Sequence, residues 1–173
     1  MKNAVIIIFI LLPIACTKNY QPLAVVPSVD IKRYSGTWYE IARLPNRFEK
    51  DLICVTATYT IRGDGRIDVL NQGIPKTDRS KIEEAKGIAK IPDAADPAKL
   101  KVSFFWPFSG DYWILDLDDP YQYVLIGEPS RKFFWILARQ KQIEESVYQR
   151  LSEKAKKLGF DTSKFERVPQ DCP

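Results

Sequence analysis

The sequence predicts one all-β domain, a sandwich or a barrel, with a single helix near its C-terminus. From Gly36 onward, eight short apolar segments recur at intervals of roughly 10–15 residues. Turn sequences rich in Gly, Pro and Asp separate them. One later stretch has a helical period instead. Many short strands at even spacing are typical of sandwiches and barrels.

The strands and turns can be read in order along the chain. RGDGR (Arg62–Arg66) predicts a hairpin turn, PFSGD (107–111) predicts another, and KFERV (164–168) a short last strand or an extended segment. The eight predicted strands are TWYEIARL, ICVTATYTI, IDVLNQG, EEAKGIAKI, KLKVSFFW, DYWILDL, QYVLIG and KFFWILAR. The helix places Ile143, Val147, Leu151, Ala155 and Leu158 on one face, and Gly159 ends it.

Alternation predicts which side chains point inward. Leu100, Val102, Phe104 and Trp106 alternate with Lys101 and Ser103, so the apolar set is expected inside. Large aromatic residues occur together with small ones such as Ala57 and Gly87. This mixture favours a cavity, but periodicity alone leaves a packed sandwich core as an equal alternative.

The N-terminus predicts export. A signal peptide is predicted over residues 1–15, because Lys2 is followed by an apolar run that is too short to span a bilayer. The stretch also resembles a lipoprotein signal, with Ala15 before a Cys16 that becomes lipidated after cleavage. An ordinary secretory peptide is the alternative. Residues 16–29 are then predicted to be a lipidated tether, and residues 30–173 the folded domain.

Composition excludes several classes of protein. The chain contains no histidine, which removes His-activated nucleophiles and His-ligated zinc, copper and haem. Its net charge of +4 is scattered rather than clustered, so nucleic acid is not an expected partner. We expect neither a metal nor a cofactor.

Three short regions carry a resemblance to the lipocalin family. GTWY (Gly36–Tyr39) resembles its first signature. LDLDDPYQY (Leu115–Tyr123) resembles the second, with one inserted residue and the Thr of Thr-Asp-Tyr lost. WILAR (Trp135–Arg139) resembles the third. The similarity runs from about residue 29 to the C-terminus, and it is strongest to bacterial outer-membrane lipoproteins and to the apolipoprotein branch.

The resemblance implies an eight-stranded antiparallel up-and-down β-barrel with one C-terminal α-helix packed outside. It implies that Trp38 lies across the closed end of this barrel under the guanidinium of Arg139, as a structural closure. If Cys16 is acylated, Cys54 and Cys172 remain in an oxidising compartment and should form a disulfide, as the corresponding cysteines do in the apolipoprotein branch.

The resemblance also implies an apolar ligand, a fatty acid or a lysophospholipid, carried or stored at the bacterial outer membrane by a lipid-anchored protein. A homodimer is compatible with it. Tyr59, Tyr112 and Asn71 are the predicted polar contacts to a head group. The full predicted lining is Val55, Ala57, Tyr59, Ile67, Val69, Asn71, Ala85, Gly87, Val102, Phe104, Tyr112, Ile114, Ile126 and Trp135.

Two other classes of function compete with this prediction. A lipocalin-type isomerase would need an inward-facing cysteine, and alternation places Cys54 on the outer face with a partner in Cys172. A surface interaction protein could use Arg62–Asp64, an RGD tripeptide, but the strand pattern requires a turn there. We therefore predict a binding protein rather than an enzyme.

Overall fold

The structure is a computed structural model that describes residues 21–172, and it contains a barrel of eight long strands with a ninth short strand outside it. No helix within these residues is long and apolar enough to span a membrane. The strands are β1 (Gly36–Arg43), β2 (Leu52–Ile61), β3 (Ile67–Pro75), β4 (Glu83–Lys90), β5 (Lys99–Phe105), β6 (Phe108–Leu117), β7 (Tyr123–Gly127), β8 (Phe134–Ala138) and β9 (Glu166–Arg167). The helices are α1 (Ile31–Tyr34) and α2 (Glu145–Lys157).

From β1 to β8 each strand pairs antiparallel with the next, and β8 pairs with β1, which closes the barrel; β9 pairs with the end of β1. The predicted up-and-down barrel is therefore confirmed. Because successive strands run in opposite directions, all the connections β1–β2, β3–β4, β5–β6 and β7–β8 lie at one end. We call it the open end, since α1 and the start of β1 cover the other.

Apolar side chains form two layers. One cluster fills the barrel and includes Trp38, Tyr59 and Ile126. The second lies between the barrel and α2, where Leu151 and Ala155 are buried against Ile136. The predicted helix is thus confirmed in its place outside the sheet, and Gly159 follows its end with φ +91°, a conformation that favours glycine.

Residues 21–29 are part of the folded body, so the predicted tether is wrong for this segment. Leu23 is buried in the layer under α2, and the Val26 N–H donates to the Ile114 carbonyl at 3.0 Å. Val25 and Val29 pack against the barrel core. Four apolar side chains within seven residues bury enough surface to hold this segment on the barrel wall. The signal peptide and Cys16 lie outside the described residues.

The β5–β6 hairpin differs from the prediction. The chain turns at Trp106–Pro107 through a cis peptide bond, and Phe108 already belongs to β6. The predicted turn over 107–111 is therefore wrong. Trp106, predicted to point inward, is almost fully exposed at the hairpin tip. The hairpin extends beyond the barrel wall, so alternation along β5 no longer leads to an interior position.

The C-terminal segment is fastened to the outside of β1 and β2. Cys54 and Cys172 form the disulfide that the sequence predicted, with Cα atoms 6.2 Å apart. The Cys54 N–H donates to the Pro169 carbonyl at 2.8 Å. The side-chain amide of Gln170 donates to the carbonyls of Glu40 and Val55 at 2.8 and 2.9 Å.

Candidate ligand-binding site

One end of the barrel is sealed by Trp38 and Arg139. The indole is fully buried, and its Nε1 donates to the Tyr34 carbonyl at 2.8 Å. The guanidinium carbon of Arg139 lies 3.9 Å from the indole centroid. Its two terminal nitrogens donate to the carbonyls of residues 33–35 and Thr37 at 2.8–3.0 Å. A partly desolvated contact of this kind contributes about 1–2 kcal/mol, and it leaves only the open end for entry.

Three tyrosines form a polar chain just inside this seal. The Tyr112 hydroxyl lies 2.7 Å from that of Tyr34 and 2.7 Å from that of Tyr59. Burial raises the pKa of all three phenols above the usual 10, so they stay neutral at physiological pH. Tyr59 and Tyr112 were predicted as contacts to a head group. Their hydroxyls are instead bonded to each other, because they share this buried level with Tyr34.

Toward the open end, inward-facing positions remain accessible to water. In the β3–β4 register Asn71 lies opposite Ala85, and their neighbours Gln72 and Glu84 are hydrogen-bonded on the outer face. Asn71 and Ala85 therefore point inward, yet Ala85 is exposed and Asn71 half-buried. The Asn71 side-chain oxygen is buried and has no hydrogen-bond partner within residues 21–172. The exposed Ala85 shows that water reaches this level, although the Asn71 oxygen itself is covered.

Gly87 is small for a different reason from the one predicted. A Cβ at this position would lie 2.8 Å from Cδ1 of Phe104 and 2.9 Å from the Ser103 carbonyl oxygen. The Phe104 ring packs directly over Gly87, so the missing side chain makes room for Phe104 rather than for a passing acyl chain.

The predicted lining residues divide into two groups by accessibility, which does not follow depth in the barrel, since Val55 near the open end is buried and Ala57, paired with Trp38, is not. Ile114 and Ile126 have no accessible surface, so a ligand reaches them only if their neighbours move. The buried group is Val55, Tyr59, Ile67, Val69, Val102, Ile114 and Ile126. The accessible group is Ala57, Asn71, Ala85, Gly87, Phe104, Tyr112 and Trp135.

Sequence reasoning missed a polar cluster on the β1 side of the interior. Arg43 pairs with Trp135 in the β1–β8 register, and it is almost fully buried. Its Nη1 donates to Oε1 of buried Glu40 at 2.8 Å, and its Nη2 donates to the Glu49 carbonyl at 2.6 Å. Trp135 Nε1 donates to the Glu49 carboxylate at 2.9 Å. Glu40 lies two residues after Trp38, so strand alternation could have placed it inside.

Electrostatics in this cluster favour the neutral form of Glu40. Burial raises the pKa of its carboxyl well above the usual range, and the nearby carboxylate of Glu49 raises it further. The Arg43 guanidinium opposes this shift without cancelling it. Both terminal nitrogens of Arg43 donate to the protein, whereas its buried Nε has no hydrogen-bond partner within the described residues. A neutral Glu40 does not cancel the positive charge of the guanidinium.

Taken together, these features define a class of protein: an antiparallel barrel sealed at one end and open at the other, with an apolar interior suited to a small hydrophobic ligand. Residues 29–170 match the family model of the lipocalin-like domain, and the chain belongs to the lipocalin family.

Relatives from several kingdoms agree with this assignment. The chain is 44% identical over 162 residues to temperature-induced lipocalin-1 of Arabidopsis thaliana, covering 88% of this chain and 86% of that protein. It is 44% identical over 161 residues to outer membrane lipoprotein Blc of Escherichia coli K12, covering 92% and 90%. It is 33% identical over 152 residues to apolipoprotein D of Macaca fascicularis, covering 83% and 79%.

A solved structure shows the same architecture. Insecticyanin from the tobacco hornworm Manduca sexta superposes with a TM-score of 0.66 at 25% identity, covering 87% of this chain and 84% of that one.

Proposed function

We propose that this lipocalin binds fatty acids or lysophospholipids in the open half of its barrel and carries or stores them at the bacterial outer membrane. One observation supports the binding site above all. Along the β3–β4 side, the inward-facing Ala85 near the open end keeps accessible surface, whereas Ile114 nearer the seal has none. On the β1–β2 side, Arg43 and Val55 near the open end are buried. A uniformly packed core would bury Ala85 as well.

The ligand enters with its acyl chain first. Apolar contacts with the walls contribute roughly 0.8 kcal/mol per buried methylene before the costs of binding. An anionic head group that went deeper would lose its water and would have to compete for the terminal nitrogens of Arg43, which already donate to Glu40 and to the Glu49 carbonyl. Arg79 and Lys81 are exposed in the β3–β4 loop at the open end. The head group therefore stays at the mouth, next to Arg79 and to Lys81, which is ion-paired with Asp78 at 2.8 Å on the surface.

Two features support the location. Relatives at 44% and 36% identity, from E. coli and Vibrio cholerae, are named outer membrane lipoproteins. In this chain Cys16 follows an apolar run and Ala15, as in a lipoprotein signal, with Pro13 at the position where Leu is usual and Leu12 next to it. We propose that residues 1–15 are removed and that Cys16 carries the anchoring lipid.

We further propose that the ligand is carried without being chemically changed. The isomerase chemistry considered from the sequence needs a thiol inside the barrel. Cys54 is bonded to Cys172 on the outside, which removes that nucleophile.

Blocking the open half tests the binding site. Ala85→Trp places an indole at an exposed inward position, and excluding two methylenes of an acyl chain costs about 1.6 kcal/mol, roughly tenfold in affinity. We expect titration with a fluorescent fatty acid to show this loss with little change in melting temperature. Lys86→Trp, on the outer face of the same strand, is the matched control and should bind like the wild type.

The same titration has results that would contradict the proposal. Affinity of Ala85→Trp within twofold of the wild type would place the ligand elsewhere. A wild-type protein that binds neither fatty acid nor lysophospholipid at micromolar concentration would refute the function itself.

A further inference from the structure

Large apolar side chains that are exposed to water gather at the open end. Five of the six such side chains in the described residues belong to the connections there or to the strand ends next to them. They are Phe48, Ile82, Phe105, Trp106 and Phe108. The sixth, Ile61, lies at the end of β2 at the sealed end. Phe105, Trp106 and Phe108 are neighbours in one hairpin, and an exposed apolar patch of this kind marks an interaction site.

The tip of the β5–β6 hairpin is the most exposed part of this surface. Trp106 is 91% exposed, and the paired residues Phe105 and Phe108 are 74% and 77% exposed. A side-chain hydrogen bond stabilises the hairpin, since Ser103 Oγ donates to the Phe108 carbonyl at 2.6 Å. Aromatic side chains exposed on a hairpin tip suit the interfacial zone of a lipid bilayer.

Formal charge differs between the two ends of the barrel. The four connections at the open end (residues 44–51, 76–82, 106–107 and 128–133) contain seven basic and four acidic side chains, a net charge of +3. The three hairpin connections at the sealed end (62–66, 91–98 and 118–122) contain two basic and five acidic side chains, a net charge of −3. Residues 30–35 and 139–144 also lie at the sealed end and each add +1, which leaves that end at −1 against +3 at the open end. An anionic surface therefore favours the open end.

The N-terminal segment leaves the domain at the same open end. Arg131, in the β7–β8 connection, donates from Nη2 to the Gln21 carbonyl at 2.6 Å. Cys16 is five residues before Gln21 in the chain. Five residues span at most about 18 Å when fully extended. A lipid on Cys16 would thus hold the open end, not the sealed end, against the membrane.

We propose that the open end docks on an anionic phospholipid bilayer, with the aromatic hairpin tip inserted between head groups and the basic loops around it on the surface. The mouth of the barrel then opens directly onto the lipid. Docking itself does not depend on the proposed ligand, but its consequence, direct exchange of acyl lipids with the bilayer, rests on the proposed function.

Vesicle binding by the mature chain with Cys16→Ser tests the docking without the anchor. We expect cosedimentation with phosphatidylethanolamine–phosphatidylglycerol vesicles, weaker binding to phosphatidylcholine, and weakening by salt. Trp106→Ser combined with Phe108→Ser should reduce the affinity at least about tenfold. Ile61→Ser, which removes an exposed apolar side chain at the sealed end, should leave it unchanged. Brominated lipids should quench the wild-type tryptophan fluorescence much more than that of the double variant.

Several results would overturn the inference. These are no vesicle binding by the wild type, binding by the double variant within twofold of the wild type, or equal weakening by Ile61→Ser. If the wild type is dimeric in sedimentation experiments and the double variant is monomeric, the hairpin tip instead binds a second copy of the chain. Fatty-acid titration of the same proteins separates the two proposals, because the double variant should still bind ligand added from solution.

Discussion

The disulfide between Cys54 and Cys172 should stabilise the protein mainly by restricting its unfolded chain. The two residues are 118 positions apart. In the chain-entropy description, opening a loop of this length lowers the free energy of unfolding by about 4.9 kcal/mol. For a domain of this size that corresponds to a fall in melting temperature of roughly 10–20 °C.

The native structure does not need this bond to hold the C-terminus in place. Without it, Val168 still donates to the Ile41 carbonyl at 2.9 Å, and Gln170 still bonds to the carbonyls of Glu40 and Val55. The double variant Cys54→Ala, Cys172→Ala should therefore keep the native near-ultraviolet circular dichroism spectrum. Its loss of stability should arise in the denatured state.

Urea unfolding measures both parts of this prediction. The double variant should have a lower midpoint and a larger m-value, because its unfolded chain exposes more surface. Wild type treated with a reductant provides the control and should match it. A loss of less than about 1 kcal/mol would refute the reasoning, and so would an altered native spectrum, since either would mean that the bond does not act through the unfolded chain.

Two further predictions concern the anchor and the buried tyrosines. Replacement of Cys16 by Ser in the full-length chain should release the protein from the membrane fraction into the soluble periplasm, and a variant that still fractionates with membranes would place the anchor elsewhere. The free energy of unfolding should fall as the pH rises above about 10, because the unfolded chain then loses phenolic protons that Tyr34, Tyr59 and Tyr112 keep in the folded state. Absorbance at 295 nm should show these three tyrosines ionising only on unfolding; ionisation below that pH would contradict their burial.

Local patterns were enough to predict the elements of this fold. Alternation and turn residues predicted eight strands that agree with β1–β8 to within a few residues at each end, and the 3.6-residue period with Gly159 predicted α2. These features depend on interactions between near neighbours in the chain. The closed barrel, the seal by Trp38 and Arg139, and the disulfide needed the family resemblance as well, because periodicity does not distinguish a barrel from a sandwich.

The candidate site could be predicted only in part. Alternation predicts which side chains face inward, but it does not distinguish the accessible Ala85 from the packed Ile114. The accessibility of an inward-facing side chain depends on the size of the side chains that other strands place beside it. The small side chain of Gly87 predicts room for a ligand, whereas the Phe104 ring from the neighbouring strand fills that space.

The remaining differences come from contacts between distant residues. Glu49 meets Arg43 and Trp135 because the β1–β2 connection turns back toward the ends of β1 and β8. Trp106 is exposed because its hairpin extends beyond the wall. Segment 21–29 packs on the barrel for the same kind of reason, as its few apolar side chains find a surface built by other strands. Short-range order in the chain thus determines which strands form, and the curvature and closure of the sheet determine which side chains meet water, ligand or one another.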